Sequence, residues 1–212
     1  MKIIRYVAFR LNSERMNSVY TILWTRDRCH ELQKAGVEGK PLQVLFGGIH
    51  QSAPSLKHAG IGHGDIVYPV SVSKGTLYVL AGVVVDEFVE LAEYAVNQLG
   101  LARRFVAELE ENKIKDLIQR HCRQLGHRQP YGCGTEVALA TRSSPLRFDL
   151  AVAKELLEKI TFCPRKGTPS GLKHIKDGKL VSSISLQGNV RRLCAPSAAL
   201  FADIVGLSEA VK

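Results

Sequence analysis

Residues 64–85 constrain the fold more than any other part of the chain, because they combine a turn pair with two strand-forming runs. Gly64 and Asp65 come first, and runs rich in β-branched and aromatic residues follow at 66–72 and 77–85. The runs are separated by Ser-Lys-Gly-Thr, and a short polar loop with glycine between two such runs is typical of a β-hairpin. The segment therefore predicts a hairpin in a β-containing domain.

Length and composition are those of an ordinary globular protein. The 212 residues can bury a substantial core as one domain, and 45% hydrophobic with 23% charged residues is a common balance. No apolar run reaches the ~18 residues that span a bilayer. Residues 1–10 carry charges where a signal peptide would be apolar. We therefore expect a cytoplasmic protein with no membrane contact.

The cysteines are scattered, odd in number and without a CxxC pair, so they define neither a disulfide framework nor a zinc ribbon. We expect free and mostly buried thiols. Adjacent Cys and His at 29–30 and at 121–122 point in different directions, which disfavours a tetrahedral metal site. The prediction is that the chain holds no metal and no other cofactor. The five cysteines are Cys29, Cys122, Cys133, Cys163 and Cys194.

The net charge of +9 is concentrated in one part of the chain. Residues 165–192 hold seven Lys and Arg against one acidic residue, a net charge of +6, whereas residues 86–118 hold eight acidic against four basic residues. A basic segment attracts polyanions and gains affinity for nucleic acid through counterion release. RNA or DNA is therefore the predicted partner, although a basic composition also occurs in proteins that bind no polyanion.

Strand and helix patterns alternate along the chain, which predicts the α+β class. Strand patterns lie near the start, in the middle and near the end, whereas a helical pattern runs from about 12 to 34, another from about 89 to 125, and a last one from Pro196. Strands so distant in sequence must pair non-locally, which favours a closed or nearly closed small β-barrel decorated with helices. We expect one domain over residues 1–212, with a helical insertion at about 89–125.

Three features in this order resemble a known superfamily. They are Gly64-Asp65 before the hairpin, a second hairpin strand with the small pair Ala81-Gly82, and Ser-Leu-Gln-Gly-Asn-Val-Arg-Arg-Leu at 185–193 before a terminal helix. The chain resembles the PUA-like superfamily, especially its EVE and ASCH branches, over residues 42–88 and 180–205. The resemblance implies a small β-barrel with a pocket for a nucleotide or a modified base in RNA or DNA. It also implies that some ASCH-like members are hydrolases or nucleases, but their Lys-Thr-Glu catalytic arrangement has no match here residue by residue.

The segment 46–52 follows a strand and precedes a predicted helix, and we interpret it as one wall of the pocket. Its glycines let the backbone approach a ligand, and amides at a helix N-terminus can receive a phosphate. The segment lacks the spacing of a P-loop. A plain strand-to-helix turn is the alternative. The candidates are Phe46, Gly47, Gly48, His50, Gln51 and Ser52.

Aromatic residues are the candidates for stacking on a base, an interaction of about 1–3 kcal/mol. Tyr68 and Tyr78 lie on the two strands of the predicted hairpin, and Trp24 is the sole tryptophan, in a polar context. The alternative is that the rings are core residues.

Basic residues flank an Asp-Gly turn at 177–178 and predict a surface for phosphate contacts, with Gln187 in reach of a base edge. A solvated turn without a partner is the alternative. The candidates for phosphate contact are Lys173, His174, Lys176, Lys179, Arg191 and Arg192.

Together, these patterns predict a nucleic-acid-binding domain with a pocket for a nucleotide or a modified base. A ribonuclease or nucleotide amidohydrolase of the same fold, with His50 or His174 as general base, is the first alternative. A protein-interaction module that uses the acidic segment 89–118 is the second.

Overall fold

The computed structural model describes residues 17–48, 55–110, 113–114, 116–118, 120, 134–187 and 190–207. The predicted first strand and three candidate site residues, His50, Gln51 and Ser52, lie outside the described residues.

The secondary structure mixes short strands with a few helices. The helices are α1 Arg26–Lys34, α2 Leu91–Leu99, α3 Arg103–Ala107 and α4 Ala195–Val205, with a 3-10 helix at Lys154–Lys159. The strands are β1 Val19–Leu23, β2 Val44–Gly48, β3 Ile66–Ser73, β4 Thr76–Val79, β5 Val83–Val84, β6 Glu87–Glu90, β7 Gly134–Leu139, β8 Arg142–Ser143, β9 Thr161–Phe162, β10 Ser170–Gly171, β11 Ile175–Lys176, β12 Lys179–Leu180 and β13 Arg191–Arg192.

The predicted hairpin is confirmed. Strands β3 and β4 pair antiparallel, with Ser73 opposite Thr76, so the loop consists of Lys74 and Gly75. Both loop residues have positive φ, 50° and 82°. This is the conformation that two-residue type I′ hairpin turns require, and glycine reaches it at the least steric cost.

The prediction of a helix from about residue 12 is wrong for residues 19–23, which form strand β1. The strand pairs in parallel with β3, from Val19 opposite Ile66 to Leu23 opposite Val70. Its side chains alternate between two hydrophobic cores, and burial on both faces selects a continuous apolar run that also mimics a helix. Helix α1 begins only after Thr25, whose hydroxyl accepts a hydrogen bond from the backbone N–H of Arg28.

Three hydrophobic clusters hold the layers of the fold together. The first joins side chains of the large sheet, such as Val67, to side chains of a three-stranded sheet of β2, β7 and β6, such as Leu45. The second lies on the other face of the large sheet, where Tyr68 packs edge-on against Phe201 of α4. The third, around Phe46, fills the space between the three-stranded sheet and α2.

The α+β class is confirmed, whereas a closed barrel is not. The large sheet has the order β13-β1-β3-β5-β8, with β4 paired to β3, and it remains separate from the three-stranded sheet. None of the sheets closes on itself within the described residues. The chain passes between the two sheets at residues 85–86 and 140–141, where the Asp86 carboxylate accepts a hydrogen bond from the backbone N–H of Thr141.

The region predicted as a helical insertion begins with a strand, because β6 extends to Glu90 and pairs with β7. Helix α2 ends at Leu99, and its C-cap Gly100 has a φ of 64°. None of the helices that the structure describes is long and apolar enough to cross a membrane.

The expectation of free thiols is wrong for two cysteines, because Cys163 and Cys194 form a disulfide with their Cα atoms 5.0 Å apart. The bond joins the end of β9 to the start of α4, across 31 residues of sequence. Cys29 is free and buried. Disulfides persist mainly in oxidising compartments, so this bond does not favour the predicted cytoplasmic location.

Candidate nucleic-acid interface

A cleft of about 360 Å³ opens between α1 and the β3–β4 hairpin, and we call it the α1 cleft. Arg26, His30 and Gln33 lie on one side of it. Their spacing of four and three residues places them on one face of the helix. The other side is formed by Ser73, Lys74, Tyr78 and Phe148.

The floor of the α1 cleft includes Cys29, Ser71 and Leu80. The Ser71 hydroxyl is fixed, because it donates a 3.2 Å hydrogen bond to the carbonyl of Trp24. Burial raises the pKa of the Cys29 thiol, and a hydrogen bond with Ser71 offsets only part of this effect. Cys29 therefore stays protonated at neutral pH and is not an activated nucleophile.

The side chains around the α1 cleft combine aromatic and cationic groups. The rings of Tyr78 and Phe148 are half-buried, so part of each surface remains open to a ligand. Arg26 and Lys74 are exposed at the mouth. An aromatic surface beside cations is the combination that single-stranded nucleic acid requires, since bases stack and phosphates need positive charge.

The predicted Asp-Gly turn is confirmed, and it lies beside this cleft. Strands β11 and β12 pair with Lys176 opposite Lys179, and Asp177 and Gly178 between them have φ of 50° and 69°. The backbone N–H of Leu180 donates a 2.8 Å hydrogen bond to the carbonyl of Gly75. The basic hairpin is therefore attached to the loop that forms one side of the α1 cleft.

Lysines from three segments meet where the two hairpins touch. A Cβ atom on Gly75 would lie 3.1 Å from the Cβ of Lys179, and one on Gly178 would lie 3.0 Å from the Cβ of Lys154. Lys154 forms an ion pair with Glu155, with 3.8 Å between the charged atoms. We call Lys74, Lys154, Lys176 and Lys179 the lysine rim, and all four are exposed.

The other residues of the basic segment have different positions. Lys173 and His174 are exposed and immediately precede β11. His174 has a φ of 62° and does not line the α1 cleft. Gln187 is exposed, and its side-chain amide donates to the Ser183 hydroxyl at 3.1 Å.

Three of the predicted stacking or pocket residues are core residues, so the prediction of their role is wrong. Phe46 is buried and packs edge-on against Tyr94, with 5.7 Å between ring centroids. Tyr68 is fully buried. Trp24 is buried as well, and the guanidinium of Arg28 covers its ring at 3.8 Å from the centroid.

Among the described residues, the three aromatic side chains predicted for one pocket pack in different hydrophobic clusters. Phe46 lies in the third cluster, Tyr68 lies in the second and Tyr78 packs against the first. Gly47 and Gly48 belong to β2 and pair with β7, with an irregular register between them. Of the predicted aromatic residues, Tyr78 lines the α1 cleft.

Arg191 and Arg192 lie on β13, which is an edge strand of the large sheet, and they do not line the α1 cleft. They line a second cleft of about 300 Å³ together with Tyr20, Phe162 and Arg165. We call it the arginine cleft. Four of the predicted phosphate contacts are thus divided between two places, because Lys176 and Lys179 belong to the lysine rim whereas Arg191 and Arg192 line the arginine cleft. Lys173 and His174 belong to neither.

Some residues of the α1 cleft were not predicted. Arg26, His30 and Gln33 have a helical spacing that would have identified them once the start of α1 was known. Phe148 has no such signal, because it reaches the cleft through tertiary packing.

No group of three or more His, Cys, Asp or Glu side chains in the described part of the chain is placed to hold a metal ion. The candidate ligands at 121–133 lie outside that part.

The fold and the clefts define an α+β protein with a basic, aromatic-lined surface cleft. No protein-family profile matches the chain, and no curated protein matches it. Crystal structures of two mutant forms of ZmASCH from Zymomonas mobilis are similar, with sequence identities of 12% and 17%. They cover 81% of this chain and 98% and 99% of their own chains, and the TM-score is 0.34 in both cases. A TM-score this low supports no conclusion about fold or function, so the chain is assigned to no family.

Proposed function

We propose that this protein binds single-stranded nucleic acid, with one base in the α1 cleft and the neighbouring phosphates on the lysine rim. The observation that carries the proposal is the contact between the two hairpins. It places an aromatic surface, Tyr78 and Phe148, next to a group of exposed lysines. Each base stacked on an aromatic ring contributes about 1–3 kcal/mol, and stacking tolerates any base.

The polar groups of the α1 cleft support a bound nucleotide. Gln33 and His30 can donate to or accept from a base edge. Arg26 lies on the same helix face and offers a fork of donors that suits a phosphate. Phosphate contacts position the strand, and the base contacts in the cleft provide any discrimination.

A PUA-like barrel is part of the proposal. In support, side chains of the large and the three-stranded sheet share one hydrophobic cluster, and the chain crosses between the sheets at two places. Residues 1–16 and 121–133 lie outside the described residues, and the proposal assigns them no role.

A hydrolase is the less favoured function. His174 does not line the α1 cleft, and His50 lies outside the described residues. Burial raises the pKa of the Cys29 thiol in the floor of the cleft, which opposes a role as nucleophile. A protein partner on the acidic segment 89–118 is the outcome to expect if the nucleic-acid test fails.

The test is fluorescence anisotropy with a labelled 12-nucleotide single strand, as RNA and as DNA. We expect Lys74→Gln to weaken binding several-fold, whereas Lys113→Gln, which removes one exposed lysine from the acidic segment, has no effect. Equal affinities for the two variants would refute the proposed site. Absence of binding by the wild-type protein at low salt would refute the proposed function.

A further inference from the structure

The arginine cleft has an unusual balance of charge. Among the described residues, its lining includes Arg165, Arg191 and Arg192 but no carboxylate. Like charges that converge without a counter-charge repel one another, so such an arrangement favours a bound anion.

Arg191 is held firmly in this cleft by neutral partners. Its guanidinium carbon lies 3.6 Å from the centroid of the Phe162 ring. Its Nη1 donates to the carbonyl of Ser185 at 2.5 Å, and its Nη2 donates to the Ser170 hydroxyl at 2.9 Å. Burial lowers the pKa of Arg191, since none of these partners carries a negative charge.

Arg165 also lines the cleft and contacts a glycine backbone. Its Nη2 donates a 2.8 Å hydrogen bond to the carbonyl of Gly60. A Cβ atom on Gly60 would lie 1.9 Å from that nitrogen, and the φ of Gly60 is +75°. Glycine is therefore required for the guanidinium to approach this closely.

Tyr20 lines the same cleft and carries a polar group without a described partner. Its side chain lines the cleft but is only 2% exposed. Within the described part of the chain, the buried hydroxyl has no hydrogen-bond partner. A buried polar group without a partner is uncommon and calls for an explanation, and a ligand that accepts its hydrogen bond provides one.

The sides of the cleft are pre-organised by the disulfide. Cys163 directly follows Phe162, and its backbone N–H donates a 2.9 Å hydrogen bond to the carbonyl of Arg192. The Cys163–Cys194 bond then ties β9 to the chain that leaves β13. Rigid donors lose less entropy when they bind a ligand.

We propose that the arginine cleft is a binding site for a phosphate group, with Arg165, Arg191 and Arg192 as cations and the Tyr20 hydroxyl as a neutral donor. Guanidinium groups bind phosphate oxygens with paired, charge-assisted hydrogen bonds, which suits a doubly charged monoester. The site uses residues separate from those of the α1 cleft, so either proposal can fail without the other.

The decisive variant is Tyr20→Phe, because it leaves the net charge unchanged and removes a hydroxyl that has no partner. Loss of such a group does not destabilise the fold. We expect calorimetric titration of the full-length, oxidised wild-type protein with inorganic phosphate to show saturable binding. Tyr20→Phe should weaken this binding roughly 10- to 100-fold, since a hydrogen bond to a charged group is worth about 1.5–3 kcal/mol.

Matched charge variants complete the test. Arg165→Gln should weaken phosphate binding at least as much as Tyr20→Phe, whereas Arg104→Gln on the exposed side of α3 should leave it unchanged. Absence of saturable binding by the wild-type protein would overturn the proposal. Wild-type affinity for phosphate in Tyr20→Phe would also overturn the proposal, and so would an equal loss of affinity in the two arginine variants. Either result would mean that phosphate binding depends only on the overall charge of the protein.

An oligonucleotide pair identifies the source of the phosphate. If a strand with a 5′-phosphate binds more tightly than the same strand with a 5′-hydroxyl, and Tyr20→Phe removes the difference, the ligand is a nucleic-acid terminus. Equal binding of the two strands, with inorganic phosphate still saturable, supports a small phosphorylated molecule as the ligand. Lys74→Gln tests the α1 cleft separately, on the strand with the 5′-hydroxyl.

Discussion

The backbone N–H of Leu180 donates to the carbonyl of Gly75 at 2.8 Å, and this bond attaches the basic hairpin β11–β12 to the loop between β3 and β4. About a hundred residues of sequence separate the two segments. Because of this contact, the lysines of the basic hairpin lie next to the loop whose Lys74 lines the α1 cleft. The proposed interface depends on this tertiary contact more than on the charge of either segment alone.

Stacking on Tyr78 should contribute to affinity independently of charge. We expect Tyr78→Leu to weaken binding of a short single strand about 10-fold, because a stacked base is worth about 1–3 kcal/mol. Tyr78→Phe keeps the ring and should bind like the wild-type protein. Anisotropy titrations of both variants at one salt concentration provide the comparison, and an equal loss in the two would exclude stacking as the cause.

Asp65 should be important for stability. The side chain is 1% exposed, and its carboxylate accepts 2.8 Å hydrogen bonds from the backbone N–H groups of Ser18 and Gly62. Asp65→Ala leaves these donors without that acceptor and should lower the free energy of unfolding by about 2–4 kcal/mol. Urea denaturation measures the change. Asp149→Ala, an exposed acid, should change it by only about 0.5 kcal/mol, and an equally small change in Asp65→Ala would contradict this role.

Reduction of the Cys163–Cys194 disulfide should destabilise the protein. The bond closes a segment of 31 residues, for which the chain-entropy model gives about 3–4 kcal/mol. The urea midpoint should therefore fall when a reductant is present. A Cys163→Ala/Cys194→Ala variant should begin at the lower midpoint and not respond to reductant. Mass spectrometry verifies that the bond has been reduced. A urea midpoint that stays unchanged in the reduced protein would show that the bond contributes nothing to stability.

Asp86 should make stability depend on pH in the acid range. The pKa of its carboxyl lies below the ordinary 3.8, chiefly because of a hydrogen bond with the Thr141 side chain. The folded state therefore favours the carboxylate, so this stabilisation is complete above about pH 4 and is lost as the pH falls through the lower, folded-state pKa. Melting temperatures of the wild-type protein and Asp86→Asn should differ at pH 7, and the difference should shrink as the pH falls below about 4. A constant difference across that range would argue against this assignment.

Local signals in the sequence predicted the turns well. Lys74-Gly75 and Asp177-Gly178 are dipeptides that tolerate positive φ, and both form the predicted hairpin loops. The Gly64-Asp65 pair also has a local physical reason. Gly64 has a φ of +80°. The Asp65 carboxylate accepts one backbone hydrogen bond from Ser18, next to β1, and one from Gly62 within the loop before β3.

Positions that depend on tertiary packing were not predictable in the same way. Tyr68 and Tyr78 look equivalent in sequence, but one faces α4 and the other faces the α1 cleft. Ala81-Gly82 resembled a small pair beside a pocket. A Cβ atom on Gly82 would instead lie 2.8 Å from the ring of Tyr68 and 2.4 Å from Leu207, so glycine is needed there for core packing.

The start of the chain illustrates a second limit. Val19 to Leu23 is apolar on both faces because two cores contact the strand, and a short apolar run does not distinguish a strand from a helix. The disulfide was not predictable from the sequence either, since pairing of Cys163 with Cys194 depends on the approach of β9 to β13 and not on the spacing of the cysteines in sequence.

The most direct test of the proposed interface is the salt dependence of single-strand binding. Each phosphate contact contributes roughly 0.7 to the slope of log affinity against log salt for a single strand. A Lys74→Gln/Lys179→Gln variant should therefore reduce the magnitude of the slope by about 1.4, whereas Lys40→Gln/Lys113→Gln, which removes the same charge elsewhere on the exposed surface, should leave the wild-type slope unchanged. Equal slopes for the two double variants would contradict the placement of the strand on the lysine rim.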